Sequence, residues 1–332
     1  MPVSVLGLDI GGANLKAAHA DGFARQQPFA LWKNPQKLPD ELRSLLAQAP
    51  KFDRLAVTMT GELCDCFETK RQGVCSILDA VTAVAGDKPV RVWTTDATFV
   101  DPKTARQEWL KVAAANWLAS ATFAGRFAPS GGALFIDCGS TTTDLIPLWE
   151  GKPNPFGLTD VDRLRTRELV YTGARRTPVC ALLGAEGMAE FFATTLDVYL
   201  LLGKLDENAG DRDTADGRPA TQAFAHARLA RMLGGDGEIM QQAETRHLAE
   251  LIASRQADLI RLACRDVASR LPDRPTQIIT AGSGEFLADA IIDPVHGWHD
   301  VTMQSLSHKL GPEISRAAAA YAVAVLANEP IV

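Results

Sequence analysis

Two stretches of the sequence place an aspartate between an apolar strand and a turn of small or polar residues. They are "LDIGGANLKAAHA", which contains Asp9, and "IDCGSTTTDLIPL", which contains Asp137. Glycine in such a turn leaves consecutive backbone N–H groups open to an anion, because no Cβ obstructs the approach. Two carboxylates from facing turns can also hold Mg²⁺, which keeps several waters and takes few carboxylates besides substrate phosphates. The residues therefore predict a site for a phosphorylated ligand and magnesium.

The residues expected to contact phosphate follow directly after these two aspartates. They are Gly11, Gly12 and Asn14 in the first copy, and Gly139, Ser140, Thr141 and Thr142 in the second. Lys16 is the expected charge partner of the phosphate, and Asp9 and Asp137 are the expected metal ligands. A single turn of this kind is typical of an ordinary hairpin. Two copies, each opening a predicted domain, favour a functional role.

A third stretch, "IITAGSGEFLA", joins an apolar strand to an apolar helix through Gly282, Ser283 and Gly284. Such a turn lets the backbone approach a planar or phosphorylated ligand at the start of the helix. Taken alone, it is also compatible with a simple strand-to-helix connection. Its position late in the chain makes it a candidate third wall of the same site.

The elements that must position these residues alternate between strand and helix. We predict a meander of three strands, "VSVLGLDI", Asn14 to Ala20 and "PFALW", followed by a helix near Pro35 to Ala49. A strand, a helix around Ser76 to Ala85, another strand and one long helix from Asp101 to about Phe123 come next. The segment "APSGG" then marks a boundary between domains at 1–129 and 130–332. The last helix, after Pro312, is expected to pack back on the first domain.

The amino-acid composition limits which classes of binding partner we expect. The 332 residues are 46% hydrophobic, which allows a large core, and 34 basic against 40 acidic side chains leave no footprint for nucleic acid. The apolar opening "VSVLGL" is too short for a membrane span and lacks a basic leader, so we expect no membrane partner. Six scattered cysteines favour reduced thiols and a cytoplasmic location. A small-molecule substrate is therefore expected, and the sequence leaves a homo-oligomer open. His296 and His299 are predicted to be surface histidines.

In this order, the three glycine-containing motifs resemble the phosphate-1, phosphate-2 and adenosine elements of the actin, hexokinase and Hsp70 superfamily. The resemblance implies an α/β fold, duplicated and ribonuclease H-like, with two domains and a cleft between them. It also implies that the cleft holds a phosphorylated ligand and a divalent ion. ATP is a candidate for that ligand, although the sequence does not establish it.

Three further stretches extend the resemblance: "TMTGELCDCFETKRQGV", "ELVYTGARRTPVCAL" and "DTADGRPAT". Together with the glycine motifs they resemble the hydantoinase/oxoprolinase-related family of tetrahydromethanopterin-linked C1-transfer proteins. Members related to the methanofuran pathway condense an (aminomethyl)furanmethyl diphosphate with a phenol. The resemblance implies a Mg-assisted transferase in which a tyrosine- or tyramine-type phenol displaces diphosphate.

This resemblance gives roles to particular residues. Asp9, Lys16, Asp137 and Asp144 become the catalytic candidates, and either Asp137 or Asp144 could assist deprotonation of the phenol. The substrate-binding candidates are Glu62, Lys70, Arg175 and Arg176. Solvated loops remain the alternative for the last four, because charged residues before a helix are common on surfaces.

Two other functions stay open at this stage. An ATP-dependent kinase or a hydantoinase-type or oxoprolinase-type hydrolase would bind nucleotide at Gly282 to Gly284 and turn over ATP. A nucleotide-gated binding protein without chemistry would bind Mg-ATP and show neither turnover nor group transfer. Fold alone supports all three functions equally.

Overall fold

We describe a computed structural model of the chain, covering residues 3–292, 298 and 300–329. The positions of His296 and His299 lie outside the described residues. Within the described part, no helix is both long and apolar enough to cross a membrane.

Strands from the first part of the chain form one six-stranded sheet with the spatial order β3-β2-β1-β4-β5-β6. Its members are β1 Val5–Ile10, β2 Asn14–His19, β3 Ala24–Pro28, β4 Arg54–Met59, β5 Val90–Trp93 and β6 Phe99–Val100. Strand β1 pairs antiparallel with β2 and parallel with β4, and all of its side chains are buried. The predicted strand "PFALW" was wrong, because β3 ends at Pro28 and Trp32 follows in a turn.

Among the described residues, the first part of the chain contains five α-helices: α1 Leu38–Leu46, α2 Lys70–Ala85, α3 Pro102–Gln107, α4 Trp109–Val112 and α5 Asn116–Ala124. The start predicted for α2 was too late, since the Thr69 side chain caps the helix by accepting from the Gln72 backbone N–H. The single helix predicted from Asp101 was also wrong. Its path is broken at Glu108 and again at Ala114, whose φ of +49° lies in the left-handed region.

The second sheet repeats the arrangement of the first, with the order β10-β8-β7-β11-β12 and β9 attached to β8. Its strands are β7 Gly132–Cys138, β8 Thr143–Trp149, β9 Lys152–Pro153, β10 Leu169–Val170, β11 Gln277–Ala281 and β12 Thr302–Ser305. Strand β7 pairs antiparallel with β8 and parallel with β11, as β1 does with β2 and β4. The expected α/β fold with two similar halves is therefore confirmed.

The described residues of the second part of the chain contain nine α-helices. They are α6 Asp160–Arg165, α7 Val179–Leu183, α8 Thr195–Leu201, α9 Gln222–Arg231, α10 Gln242–Ala268, α11 Ala288–Ile291, α12 Leu306–Leu310, α13 Pro312–Arg316 and α14 Ala318–Leu326. Helix α10 packs against α8, α9 and β8, and its apolar side chains join the core of the second half.

Helix α14 does not stay with its own half but lies across strands β1, β2 and β4 of the first sheet. The approach is close, since a Cβ added to Gly7 would lie 1.9 Å from the Ala320 carbonyl oxygen. Small side chains on both elements permit this contact. The boundary predicted between residues 129 and 130 falls between α5 and β7 and stays a prediction.

Candidate active site

A cavity of about 490 Å³ lies where the β1–β2 hairpin faces the β7–β8 hairpin. Thirteen of the predicted site residues line it: Asp9, Gly11, Gly12, Asn14, Lys16, Glu62, Asp137, Gly139, Ser140, Thr141, Thr142, Asp144 and Arg176. The other predicted residues, Lys70, Arg175, Gly282, Ser283 and Gly284, are not part of this lining. The fold thus brings both halves of the chain to one cleft.

The two hairpins are closed by the same backbone hydrogen bond. The Gly11 N–H donates to the Asn14 carbonyl at 3.0 Å, and the Gly139 N–H donates to the Thr142 carbonyl at 2.8 Å. Each turn therefore displays its small residues to the cavity in the same way. This match is the structural counterpart of the repeated sequence motif.

Asp9 is a buried carboxylate with one satisfied and one unsatisfied oxygen. Its Oδ2 atom lies 3.3 Å from Lys16 Nζ, while Oδ1 is buried without a hydrogen-bond partner. A buried acceptor left without a partner is costly, and burying an unpaired carboxylate oxygen costs more. The Oδ1 atom is therefore suited to a cation or to water held by one.

Asp137 lies opposite Asp144 in the register of β7 and β8. Desolvation within the cleft raises the pKa of Asp137 to about 7, and the negative charges of Asp144, Asp9 and Glu285 act in the same direction. Lys16 opposes them. The cleft thus carries an excess of negative charge that a bound cation would relieve.

Asp144 is fixed by a residue that the sequence analysis missed. Arg163, in α6, donates from Nη2 to Asp144 Oδ1 at 2.8 Å and to the Glu168 carbonyl oxygen at 3.0 Å. The guanidinium carbon of Arg163 also lies 4.1 Å from the ring centroid of Trp117. Burial raises the pKa of Asp144, and the arginine opposes that shift. No sequence signal linked Arg163 to the motif, because the two lie on different elements.

The glycine motif after β11 packs against Asp137 and the Cys138 backbone. Gly282 has a φ of +97°, and a Cβ at this position would lie 2.5 Å from Asp137 Oδ1 and 2.3 Å from the Cys138 carbonyl oxygen. The Gly284 N–H donates to that same carbonyl oxygen at 2.7 Å. The motif thus packs closely on the end of β7.

The two arginines predicted to bind substrate differ in their access to the cavity. Their backbone N–H groups both donate to the Ser140 carbonyl oxygen at 3.0 Å, which fixes the loop on the second hairpin. The side chain of Arg175 pairs with Asp211 at 2.7 Å. Arg176 pairs with Asp213 at 3.3 Å. Unlike Arg175, it also lines the cavity, where its guanidinium carbon lies 4.7 Å from the ring centroid of Trp32. The sequence analysis did not identify Trp32 as a cleft residue, because it placed this side chain in a strand rather than in the turn that follows β3.

Glu62 and Lys70 belong to a chain of charges that crosses the cleft. Lys70 Nζ lies 3.5 Å from Glu62 Oε1 and 2.8 Å from Oδ2 of Asp160, which begins α6. The Glu62 side chain is 1% exposed, and its Oε2 atom has no partner. Desolvation raises the pKa of Glu62 to about 7 despite the nearby Lys70. Asp160 was not singled out from the sequence.

A metal site made by protein groups alone is absent from the described residues. In that part of the chain no three His, Cys, Asp or Glu side chains are grouped to hold an ion. Asp9 and Asp137 offer hard oxygen atoms of the kind Mg²⁺ takes when substrate phosphates and water complete its shell. The residues present therefore fit magnesium better than a metal that needs four protein ligands.

The chain is similar to one protein family and to two named synthases. The model of the hydantoinase/oxoprolinase family matches residues 53–329. The chain is 32% identical to the (4-{4-[2-(gamma-L-glutamylamino)ethyl]phenoxymethyl}furan-2-yl)methanamine synthase of Methanocaldococcus jannaschii, with 100% of this chain and 99% of that protein covered. It is 28% identical to the protein of the same name from Methanococcus vannielii, over 58% of this chain and 89% of that protein.

Among solved structures, a nucleotide-free acetone carboxylase aligns with a TM-score of 0.54 and 11% identity, covering 97% of this chain and 70% of that one. The ADP complex of Ta0583, an archaeal actin homologue, aligns with a TM-score of 0.47 and 16% identity, covering 98% and 99%. The acetone carboxylase alignment and the repeated sheet order both agree with the expected two-part α/β fold.

Proposed function

The chain belongs to the hydantoinase/oxoprolinase family, and on that premise we propose that it is a transferase of methanofuran biosynthesis. In this proposal a phenol displaces diphosphate from an (aminomethyl)furanmethyl diphosphate and forms an aryl ether. The name that both relatives share describes a phenoxymethyl-furan product, which is such an ether. The observation that carries the proposal is the pair of matched hairpin turns, each with its aspartate, facing one cavity.

The proposed reaction does not require a covalent bond between the protein and the substrate. The furan ring oxygen stabilises positive charge on the adjoining carbon, so the bond to diphosphate breaks readily once the departing charge is neutralised. In this proposal, backbone N–H groups of the two turns donate to phosphate oxygens; the N–H groups of Gly11 and Gly139 are not among them, because they close the hairpins. Lys16 and Arg176 add positive charge to the same cavity. Neutralisation and positioning are therefore the main tasks of the site.

Asp9 and Asp137 are the residues that would hold Mg²⁺. The ion would supply charge neutralisation for the leaving diphosphate when bound. Asp9 Oδ1 is the better-supported contact, because it is buried and has no other partner. Lys16 would then remain on Asp9 Oδ2 and keep the carboxylate oriented.

Aromatic surface for the acceptor is available at the mouth of the cavity. Trp32 comes from the first half and Tyr171 from the second, and Tyr171 is 67% exposed. A phenol ring lying against such side chains buries apolar area on both faces. We propose that the acceptor enters between them, with its hydroxyl directed toward the hairpins.

Mass spectrometry tests the proposal directly. Purified enzyme is incubated with Mg²⁺, the furanmethyl diphosphate and a panel of tyrosine- and tyramine-type phenols, with and without ATP. We expect an ether product and released diphosphate without any need for ATP. Hydrolysis of nucleotide or phosphate transfer with no ether would instead favour the kinase or ATP-driven hydrolase.

A further inference from the structure

We infer that Glu62 accepts the proton of the acceptor phenol as the ether bond forms. The inference rests on the proposed transferase function and names a further catalytic residue for it. Asp9 and Asp137 keep their proposed role in binding the leaving group. The cleft then has a phosphate side, formed by the two hairpins, and an acceptor side, which contains Glu62.

The position of Glu62 is set by rigid backbone contacts. The Thr60 and Gly61 N–H groups both donate to the Ile10 carbonyl oxygen at 2.9 Å, which ties this loop to the end of β1. On its other side, α2 presses so closely that a Cβ on Gly73 would lie 2.1 Å from the Glu62 carbonyl oxygen. The loop therefore presents the Glu62 side chain at a fixed place in the cavity wall.

The two carboxylate oxygens of Glu62 have different surroundings. Lys70 lies near Oε1, and Asp160 holds Lys70 in turn. The Oε2 atom is buried and has no hydrogen-bond partner, although Glu62 lines the cavity. Leaving such an atom without a donor is costly, so it suits a donor brought by the substrate. A phenol O–H is a donor of that kind.

The other carboxylates in the cleft are committed elsewhere. Asp144 Oδ1 already accepts from Arg163, and Asp137 lies near the end of β7, where it is a proposed Mg²⁺ ligand close to Asp9 and Asp144. The charged or titratable groups facing Glu62 are Lys70 on α2, Asp160 on α6 and, in its own loop, Cys64. Burial raises the pKa of Glu62 to about 7, which suits a group that gains and loses a proton near neutrality.

The proposed step balances without any further reagent. The phenol O–H bond breaks and its proton passes to Glu62 Oε2. The phenol oxygen uses a lone pair to bond to the furanmethyl carbon. The bond from that carbon to the diphosphate oxygen breaks, and its electron pair leaves with diphosphate. Glu62 later returns the proton to water.

The test measures ether and diphosphate separately in Glu62→Gln enzyme, with Glu68→Gln as the matched control. Glu68 lies exposed in the same loop and does not line the cavity. With an ordinary phenol we expect ether formation by Glu62→Gln to fall about 100-fold, the scale of general-base catalysis. Diphosphate release should persist, because water captures the furanmethyl carbon. A nitrophenol acceptor, already ionised at the assay pH, should restore ether formation.

Two results would overturn the inference: an unchanged ratio of ether to diphosphate in Glu62→Gln, or an equal loss with ordinary and ionised phenols. Wild-type enzyme that forms no ether would instead reject the transferase function itself. If Glu62→Gln does not fold, Lys70→Met decides the question. Losing that cation should move the rising limb of ether formation to higher pH, and an unmoved limb would contradict the role of Glu62.

Discussion

Lys16 faces Asp9 across the first hairpin, with Nζ 3.3 Å from Oδ2, and the two residues are direct cross-strand partners. The corresponding partners in the second hairpin are both acidic, Asp137 and Asp144. Arg163 supplies the missing positive charge from α6. The duplicated halves thus differ in charge at equivalent positions. Asp9 has a lysine as its cross-strand partner, whereas Asp137 has an aspartate.

Replacing either hairpin aspartate should impair catalysis without removing the fold. We expect Asp9→Asn and Asp137→Asn to lower Mg²⁺-dependent ether formation by about 100-fold or more, because charge stabilisation of the leaving group is lost. Steady-state rates over a Mg²⁺ titration measure this. Asp87→Asn, at an exposed site outside the cavity, is the control. Full Mg²⁺-dependent turnover in both variants would reject these ligands.

Arg176 and Arg175 should differ in their effect on substrate binding. Arg176→Ala removes a guanidinium that lines the cavity, so KM for the diphosphate or the acceptor should rise about tenfold, the value of a charged hydrogen bond. Arg175→Ala breaks the pair with Asp211 and should change KM less. Measuring KM for each substrate checks the contrast. Unchanged values in Arg176→Ala would exclude it from substrate binding.

The close contact of Gly282 with Asp137 predicts a large cost for a single methyl group. Gly282→Ala adds strain at positive φ and crowds Asp137 Oδ1, so we expect about 3 kcal/mol or more of destabilisation. Gly22 has a similar φ of +105° with open space around its Cβ position, so Gly22→Ala isolates the backbone term. Urea unfolding of both variants measures the two losses in the free energy of unfolding, and their difference is the cost of crowding. Equal losses would show that crowding at Gly282 is unimportant.

Glu62 should make folding less favourable as the pH rises. Its pKa is raised from 4.5 to about 7, so the folded state holds a proton that the unfolded state has released over that range. The free energy of unfolding should therefore fall between pH 4.5 and 7, by up to about 3 kcal/mol from this group. Glu62→Gln should flatten that slope relative to wild type in urea unfolding. A slope matching that of Glu68→Gln would contradict the raised pKa.

The buried pair of Arg163 and Asp144 predicts a strong effect of breaking it from one side. Arg163→Met leaves the Asp144 carboxylate buried without its partner, which should cost about 3–5 kcal/mol. Asp144→Asn in the same chain should recover part of that loss, because no charge remains. Denaturant unfolding of the single and double variants measures the recovery. An additive loss would indicate that the pair is not coupled.

Much of the proposed phosphate side of the cleft could be predicted from the sequence, because the residues that form it are close together along the chain. An aspartate at the end of a buried strand and small residues after it are adjacent in sequence, so strand pattern and turn chemistry were enough to find Asp9, Asp137 and both turns. The repeated motif also predicted the duplicated sheets. The helix after Asp101 was harder, because Ala114 adopts a left-handed conformation that alanine rarely takes.

The rest of the cleft, including the proposed acceptor side, depends on tertiary structure. Trp32, Asp160 and Arg163 reach the cleft from a loop and a short helix, and the residues they contact lie on other elements. Nothing in their local sequence marks them, since a side chain exposed to solvent and one that lines a cleft look alike before the chain is folded. The sequence by itself determined the repeated hairpins, their aspartates and the family. Only the folded chain decided which charges meet, because those contacts depend on distances between separate elements rather than on any spacing along the chain.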